Sequence, residues 1–159
     1  MAYADVRDAI ATIVATATGN APVHKFERLV KTPEAFKALA TMLDDHGNQI
    51  VHTWMMTVEN DDPEPDTEED VIDFTFEREY FFILRGYRGH DDAKETGLAW
   101  QVTIDAVLSA FDTNPTISGT AIRSGPAWGR IRDQHRFFGD ILCHYCEVVV
   151  PVTLKVSRV

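Results

Sequence analysis

The sequence predicts a single α+β domain, with a mostly antiparallel β-sheet, helices packed on one face, and a long projecting β-hairpin arm. Three observations carry that prediction. Two long stretches flanking an acidic, proline-broken segment alternate apolar and polar residues with period two; a third alternating run closes the chain; and three further segments repeat their apolar residues at helical spacing.

The elements follow in order. Tyr3, Val6, Ile10, Ile13, Val14 and Ala17 recur at helical spacing, and Gly19-Asn20 with Pro22 supplies the stop, giving an amphipathic first helix. Val23 to Val30 reads as a short strand. Thr32 can then cap a second helix whose first position holds Pro33, where the missing N–H costs little. That helix is expected to run to about Asp45 with Phe36, Leu39, Ala40 and Leu43 as its stripe, and His46-Gly47-Asn48 ends it.

The arm is expected over about residues 48–87. On its first strand Ile50, Trp54, Met56 and Val58 share one face, opposite Thr53 and Thr57. On its second, Phe74, Phe76, Tyr80, Phe82 and Leu84 oppose Asp73, Thr75, Glu77 and Glu79, with Arg78 the exception on the apolar face. Between them, Asn60 to Asp70 holds seven acidic residues and two prolines in eleven positions, a composition too charged to pack and too short of donors to continue a ladder. Two readings of this tip stand, a solvated loop or a contact arm.

Arg85-Gly86-Tyr87-Arg88-Gly89 is read as a turn, after which Asp91 or Asp92 can cap a third helix reaching Phe111, buried through Trp100, Ile104, Val107, Leu108 and Phe111. From Asp112 to Gly139 prolines and glycines interrupt every period, so a short strand near Thr116 to Ile122 and a long loop are expected. Leu142, Cys146, Val148, Val150, Val152, Leu154 and Val156 then form a long closing strand, in which Pro151 favours a sheet edge or a bulge.

Composition narrows the function. At 159 residues and 45% hydrophobic the chain has the size of one domain, residues 1–159, with one core. A net charge of −10 argues against general nucleic-acid binding, which needs clustered Lys and Arg. The amino terminus lacks the basic and apolar regions of a signal peptide, and no apolar run approaches a membrane span, so a soluble protein made in the cytosol, with no membrane partner, is expected. The two cysteines imply no disulfide framework.

Candidate chemistry is sparse. Cys143-His144-Tyr145-Cys146 resembles a metal motif, but in a strand the two thiols point to opposite faces and no second pair completes a zinc set. His144 is better explained as a buried imidazole bonded to a backbone carbonyl. His90 beside Asp91 and Asp92 could do acid/base work in a pocket, yet helix capping explains the aspartates equally. No nucleophile elbow, phosphate loop or metalloprotease spacing occurs. The expectation is therefore no catalytic, cofactor-binding or metal residues, no cofactor, and no enzyme.

Charge supplies the remaining asymmetry. Arg123, Arg130, Arg132 and Arg136 crowd into one stretch of an acidic chain, a possible mate for Asp61, Asp62, Glu64, Asp66, Glu68, Glu69 and Asp70 of a neighbouring subunit. Such head-to-tail contacts close into a ring when the rotation permits. The alternative is that these arginines face solvent or neutralise carboxylates of their own subunit.

Taken together, the amphipathic first helix, His52-Thr53-Trp54, Arg85 to Gly89 leading to the Trp100 to Phe111 helix, and the strand from Phe138 to Glu147 resemble the tail terminator (tail completion) proteins of long-tailed bacteriophages. The resemblance implies an α+β virion protein of the tail and neck, assembled in the host cytoplasm as a homohexameric ring. Such a ring caps the tail tube, stops its polymerisation and joins the tail to the head. Its implied partners are copies of itself, the tail tube protein and head-completion or connector proteins, with DNA only in transit through the channel, where an acidic surface avoids tight phosphate contact. The length and acidity of the arm tip depart from the family pattern. Another neck component (head-tail connector or stopper) or a minor tail-tube subunit is the alternative, and a cytosolic small-ligand binding module the more distant one.

Overall fold

The closing strand organises the sheet. β8 (Ile141–Ser157) pairs antiparallel with β4 (Thr75–Gly89) over fifteen residue pairs, from Gly89 opposite Cys143 to Thr75 opposite Ser157. The structure is a computed structural model, and it describes residues 3–26, 28, 32–44, 46–59, 75–91, 95–130, 135–138 and 141–157. Around the central pair the eight-stranded sheet runs β1 (Val23–His24), β3 (Gln49–Glu59), β4, β8, β5 (Arg123–Ser124), with β2 (Thr41–Leu43) also on β3, and β6 (Trp128–Arg130) and β7 (His135–Phe138) also on β8. Among the described strands only β1 pairs in parallel. The expected α+β architecture with a mostly antiparallel sheet is therefore present.

The expected arm is different. β3 and β4 do form an antiparallel hairpin, from His52 opposite Arg88 to Glu59 opposite Phe81, but β8 flanks β4 on its other side, so the paired strands lie within the sheet. The tip, residues 60–74, lies outside the described residues. Arg85 to Gly89 is not a turn but the end of β4, and the reason is packing. A Cβ at Gly86 would stand 2.7 Å from Trp100 Cη2 and 2.8 Å from Trp54 Cη2, so glycine there admits two indoles and does not bend the chain.

The main core lies between this sheet and two helices. α1 (Tyr3–Ala17) contributes Val6, Ile10 and Val14 at spacings of four, one stripe along the helix. α3 (Thr96–Asp112) contributes Trp100, Ile104, Val107 and Phe111, with Leu108 partly buried, as its periodicity predicts. They cover Trp54, Met56, Phe82, Leu84, Cys146, Val148, Val150, Val152 and Leu154, the alternating face of three neighbouring strands. Ile117 closes this core from a turn in which its own φ is 47°, an unfavourable angle for a β-branched residue that its complete burial outweighs. A second, smaller core on the opposite face joins Ala40, Met55, Tyr87, Cys143 and Tyr145. Ala40 belongs to α2 (Pro33–Ala40), so this helix stands apart from the face that α1 and α3 share.

α2 begins as expected, with the Thr32 hydroxyl accepting from Ala35 N at 3.2 Å and Pro33 in the first turn. It ends five residues early, because Thr41 to Leu43 gain a ladder with β3. The turn that permits this is held by the Asp44 carboxylate, which accepts from Asn48 N at 2.8 Å and His46 N at 2.9 Å, while Gly47 adopts φ 78°. Leu43, expected in the helix stripe, is 61% exposed. The strand expected over Val23 to Val30 is confined, among the described residues, to Val23–His24.

Capping of α3 by Asp91 or Asp92 is also corrected for the described part. Its N-cap is Glu95 in the left-handed region without a side-chain cap bond, and Thr96 ties the helix start to the Asp91 backbone instead. Residues 115–120 form turns rather than the expected strand, and the expected long loop contains β5, β6 and β7. Trp128 and Gly129, inside that expected loop, belong to β6.

Those short strands make β8 central, so Pro151 is not at an edge. Its carbonyl accepts from Gly125 N at 2.9 Å, which places its nitrogen on the same side, at the break between the β5 and β6 ladders, where no donor is needed. Among the described residues no helix is long and apolar enough to cross a membrane.

Candidate functional site

Two groupings of polar side chains emerge from the sheet, one on each face. The first contains the predicted interface arginines. β5, β6 and β7 place Arg123 opposite Thr153, Arg130 opposite Glu147 and Arg136 opposite Cys143, all along the β8 side of the sheet. Arg123 and Arg136 are exposed. Arg123 Nε donates to Thr153 Oγ1 at 3.4 Å, and the Arg136 guanidinium lies 4.2 Å above the Tyr145 ring. Tyr145 in turn donates its hydroxyl to Glu147 Oε1 at 2.7 Å, the oxygen that Arg85 Nε approaches at 3.4 Å. Burial first, and the bond to Glu147 second, hold the Tyr145 phenol well above its ordinary range.

The carboxylate of Glu147 is met by Arg85, a residue outside the predicted set, while Arg136 uses its planar cation on an aromatic face. The structure brings Arg123 and Arg136 to one sheet edge. Arg132 and the seven acidic positions Asp61, Asp62, Glu64, Asp66, Glu68, Glu69 and Asp70 lie outside the described residues, as does the Arg130 side chain.

The second grouping was not foreseen. On the face shared with α1 and α3, the register aligns His52 of β3 with Arg88 of β4, Arg88 with His144 of β8, and His144 with His135 of β7. His90, directly after β4, is held there by its N–H donating to Leu142 O at 3.0 Å. The rings of His90, His135 and His144 consequently stand 4.8 to 5.0 Å apart between centroids. One ring nitrogen from each lies within 4.8 Å of the others, in a group that grades from exposed His135 to buried His144.

His144 is buried as expected, and one of its partners is a side-chain hydroxyl. Its Nε2 sits 3.0 Å from Thr96 Oγ1, at the start of α3. The same hydroxyl lies 3.1 Å from Asp91 O, so Thr96 links His144 to the backbone at the start of α3. His52 is separate in character. It is almost fully buried, accepts at Nε2 from Trp54 Nε1 at 3.3 Å, and is pushed down to about 4 by burial and then by the Arg88 charge. The Arg88 guanidinium reaches Thr103 Oγ1 at 3.4 Å.

The cysteines offer no ready nucleophile. Burial pushes Cys143 up to about 11 and Cys146 up to about 12, and they occupy the two different cores, on opposite faces as the strand period predicts. The histidine group escaped the sequence because His90 is 45 residues from His135 and one member rides on β7, a strand hidden among glycines and prolines. The pairings of β4 and of β7 with β8 unite them. No protein-family model matches this chain, and no curated protein matches it in sequence.

Proposed function

We propose that this chain is a ring-forming structural subunit of a phage tail, of the terminator kind, which caps the tail tube, halts its growth and offers its other surface to the neck. The observation that carries the reading is the separation of opposite charges along the chain. Arg123 and Arg136 occupy short strands on the β8 side, whereas the acidic segment 60–70 follows β3, two strands away, in sequence. A subunit with cations on one sheet edge and an acidic segment elsewhere in its sequence suits head-to-tail contact with copies of itself, the interface type from which rings close. Each exposed pair contributes about 0–1 kcal/mol, so complementarity acts mainly on register and partner choice.

The net charge of −10 supports the same reading, because DNA crossing such a ring would meet a surface that does not hold phosphate. The test is negative-stain microscopy of the cognate tail-tube protein polymerising with and without the chain. Tubes of limited length bearing one additional ring at an end support the terminator. Tubes of unaltered length with bare ends assign the chain to a connector role or to a protein outside the neck.

A further inference from the structure

The geometry points to a transition-metal site of the zinc class at His90, His135 and His144. Three imidazoles delivered by three separate segments converge with centroids 4.8 to 5.0 Å apart and mutually tilted by 38° to 71°. Zinc binds histidine nitrogen at about 2.0–2.1 Å, so three rings on tetrahedral vertices have centroids roughly 5 Å apart and ligating nitrogens roughly 3.4 Å apart. The centroid spacing already matches. The nitrogens, within 4.8 Å of one another, would draw together by a little over 1 Å, roughly, on binding.

The supporting shell is of the kind a ligand histidine uses. His144 Nε2 lies 3.0 Å from Thr96 Oγ1, so Nδ1 is the nitrogen assigned to the metal, and Thr96 is itself fixed by accepting from Asp91 N at 2.9 Å. Imidazole is a ligand type suited to zinc and the later first-row divalent ions. Among the described residues, Arg88 is the cation that the register places beside His144 on the same face, and it extends to Thr103 of α3. With His135 exposed, the fourth position is open to solvent, so three protein nitrogens and a water complete the coordination.

The consequence is mechanical. β7 is four residues long and pairs only with β8 among the described strands. A metal would tie it to the end of β4 and, through Thr96, to the start of α3. This site is independent of the ring-forming role and stands or falls apart from it.

The experiment titrates zinc into the full chain after EDTA treatment and dialysis, followed by calorimetry and by thermal melting, with Co²⁺ absorption as a report of tetrahedral nitrogen coordination. The expected result is one equivalent per chain with a raised melting temperature. His135→Ala, at an exposed position, and His90→Gln are each expected to abolish the melting shift and weaken binding at least about tenfold, whereas His46→Ala, in the exposed β2–β3 turn, leaves both unchanged. Absence of zinc uptake, or uptake that survives both His90→Gln and His135→Ala, overturns the site.

Discussion

Gly86 faces Trp54 directly across the β3–β4 ladder, and a Cβ at Gly86 would lie 2.8 Å from the Trp54 ring. Trp100 presses on the same point from α3 at 2.7 Å, so neither indole can retreat without moving the other. Gly86→Ala is therefore expected to destabilise the fold by about 1–3 kcal/mol through overpacking. Gly129→Ala, where nothing lies within 4 Å of the added carbon, is expected to be near neutral. Chemical denaturation of the two variants side by side checks the contrast.

The opposite change tests the same core. Trp54 and Phe82 are both fully buried, so alanine at either leaves a cavity and is expected to cost about 3–5 kcal/mol. Leu98→Ala, on the exposed side of α3, should move stability by less than about 0.5 kcal/mol. If the costs of Phe82→Ala and Leu98→Ala were equal, the assigned sheet face would be inverted.

These residues also show how much was legible in the sequence. The period of two in β3, β4 and β8 and the helical stripes of α1 and α3 were readable because burial on one face writes itself directly into residue order. Gly86 was misread because a glycine that makes room and a glycine that turns the chain look alike without knowledge of the tryptophans above it. Of the two readings of Pro151, the edge fails and the irregularity holds: its missing donor is harmless because the β5 and β6 ladders break opposite it, where residues 125–127 face residues 150–151. β5, β6 and β7 are two to four residues long, too short to show any period, and with them the positions of Arg123, Arg136 and His135 were hidden. The fold is thus legible where long elements bury a face, and the candidate sites are obscure because they are built on the short ones.

His52 provides a pH prediction with a definite sign. Its folded value near 4 lies below the ordinary 6.5, because burial and the neighbouring Arg88 both oppose the charged form. Above about pH 6.5 the imidazole is neutral in both states and contributes no slope. Between about 6.5 and 4 the unfolded chain takes up a proton that the folded chain refuses, so stability falls as the pH falls, by roughly 3 kcal/mol at most for this group. Unfolding free energies measured from pH 7.5 to 4.5 should show that decline, and His52→Gln, which keeps an acceptor for Trp54 Nε1, should flatten it. An unchanged slope in the variant would assign the acid sensitivity to other groups.

Charge exchange separates contact from coincidence in the proposed ring. Neutralising Asp61, Asp62, Glu64, Glu68 and Glu69 to the amides is expected to weaken self-association or docking on the tube end while shifting the melting temperature little, since exposed pairs each contribute about 0–1 kcal/mol. Arg123→Glu with Arg136→Glu should do the same from the other partner. Arg136 has an additional role, because its guanidinium covers Tyr145, so Arg136→Lys controls for lost packing. The decisive comparison mixes subunits: chains carrying lysines at the five acidic positions should recover association with chains carrying the two glutamates, and only at low ionic strength, where screening over about 10 Å leaves the attraction intact. Native mass spectrometry of the mixture reads the outcome. Recovery would mean that the segment after β3 meets the β5–β7 edge of a neighbour, whereas loss in every combination would mean that the two sets of charges act on different partners.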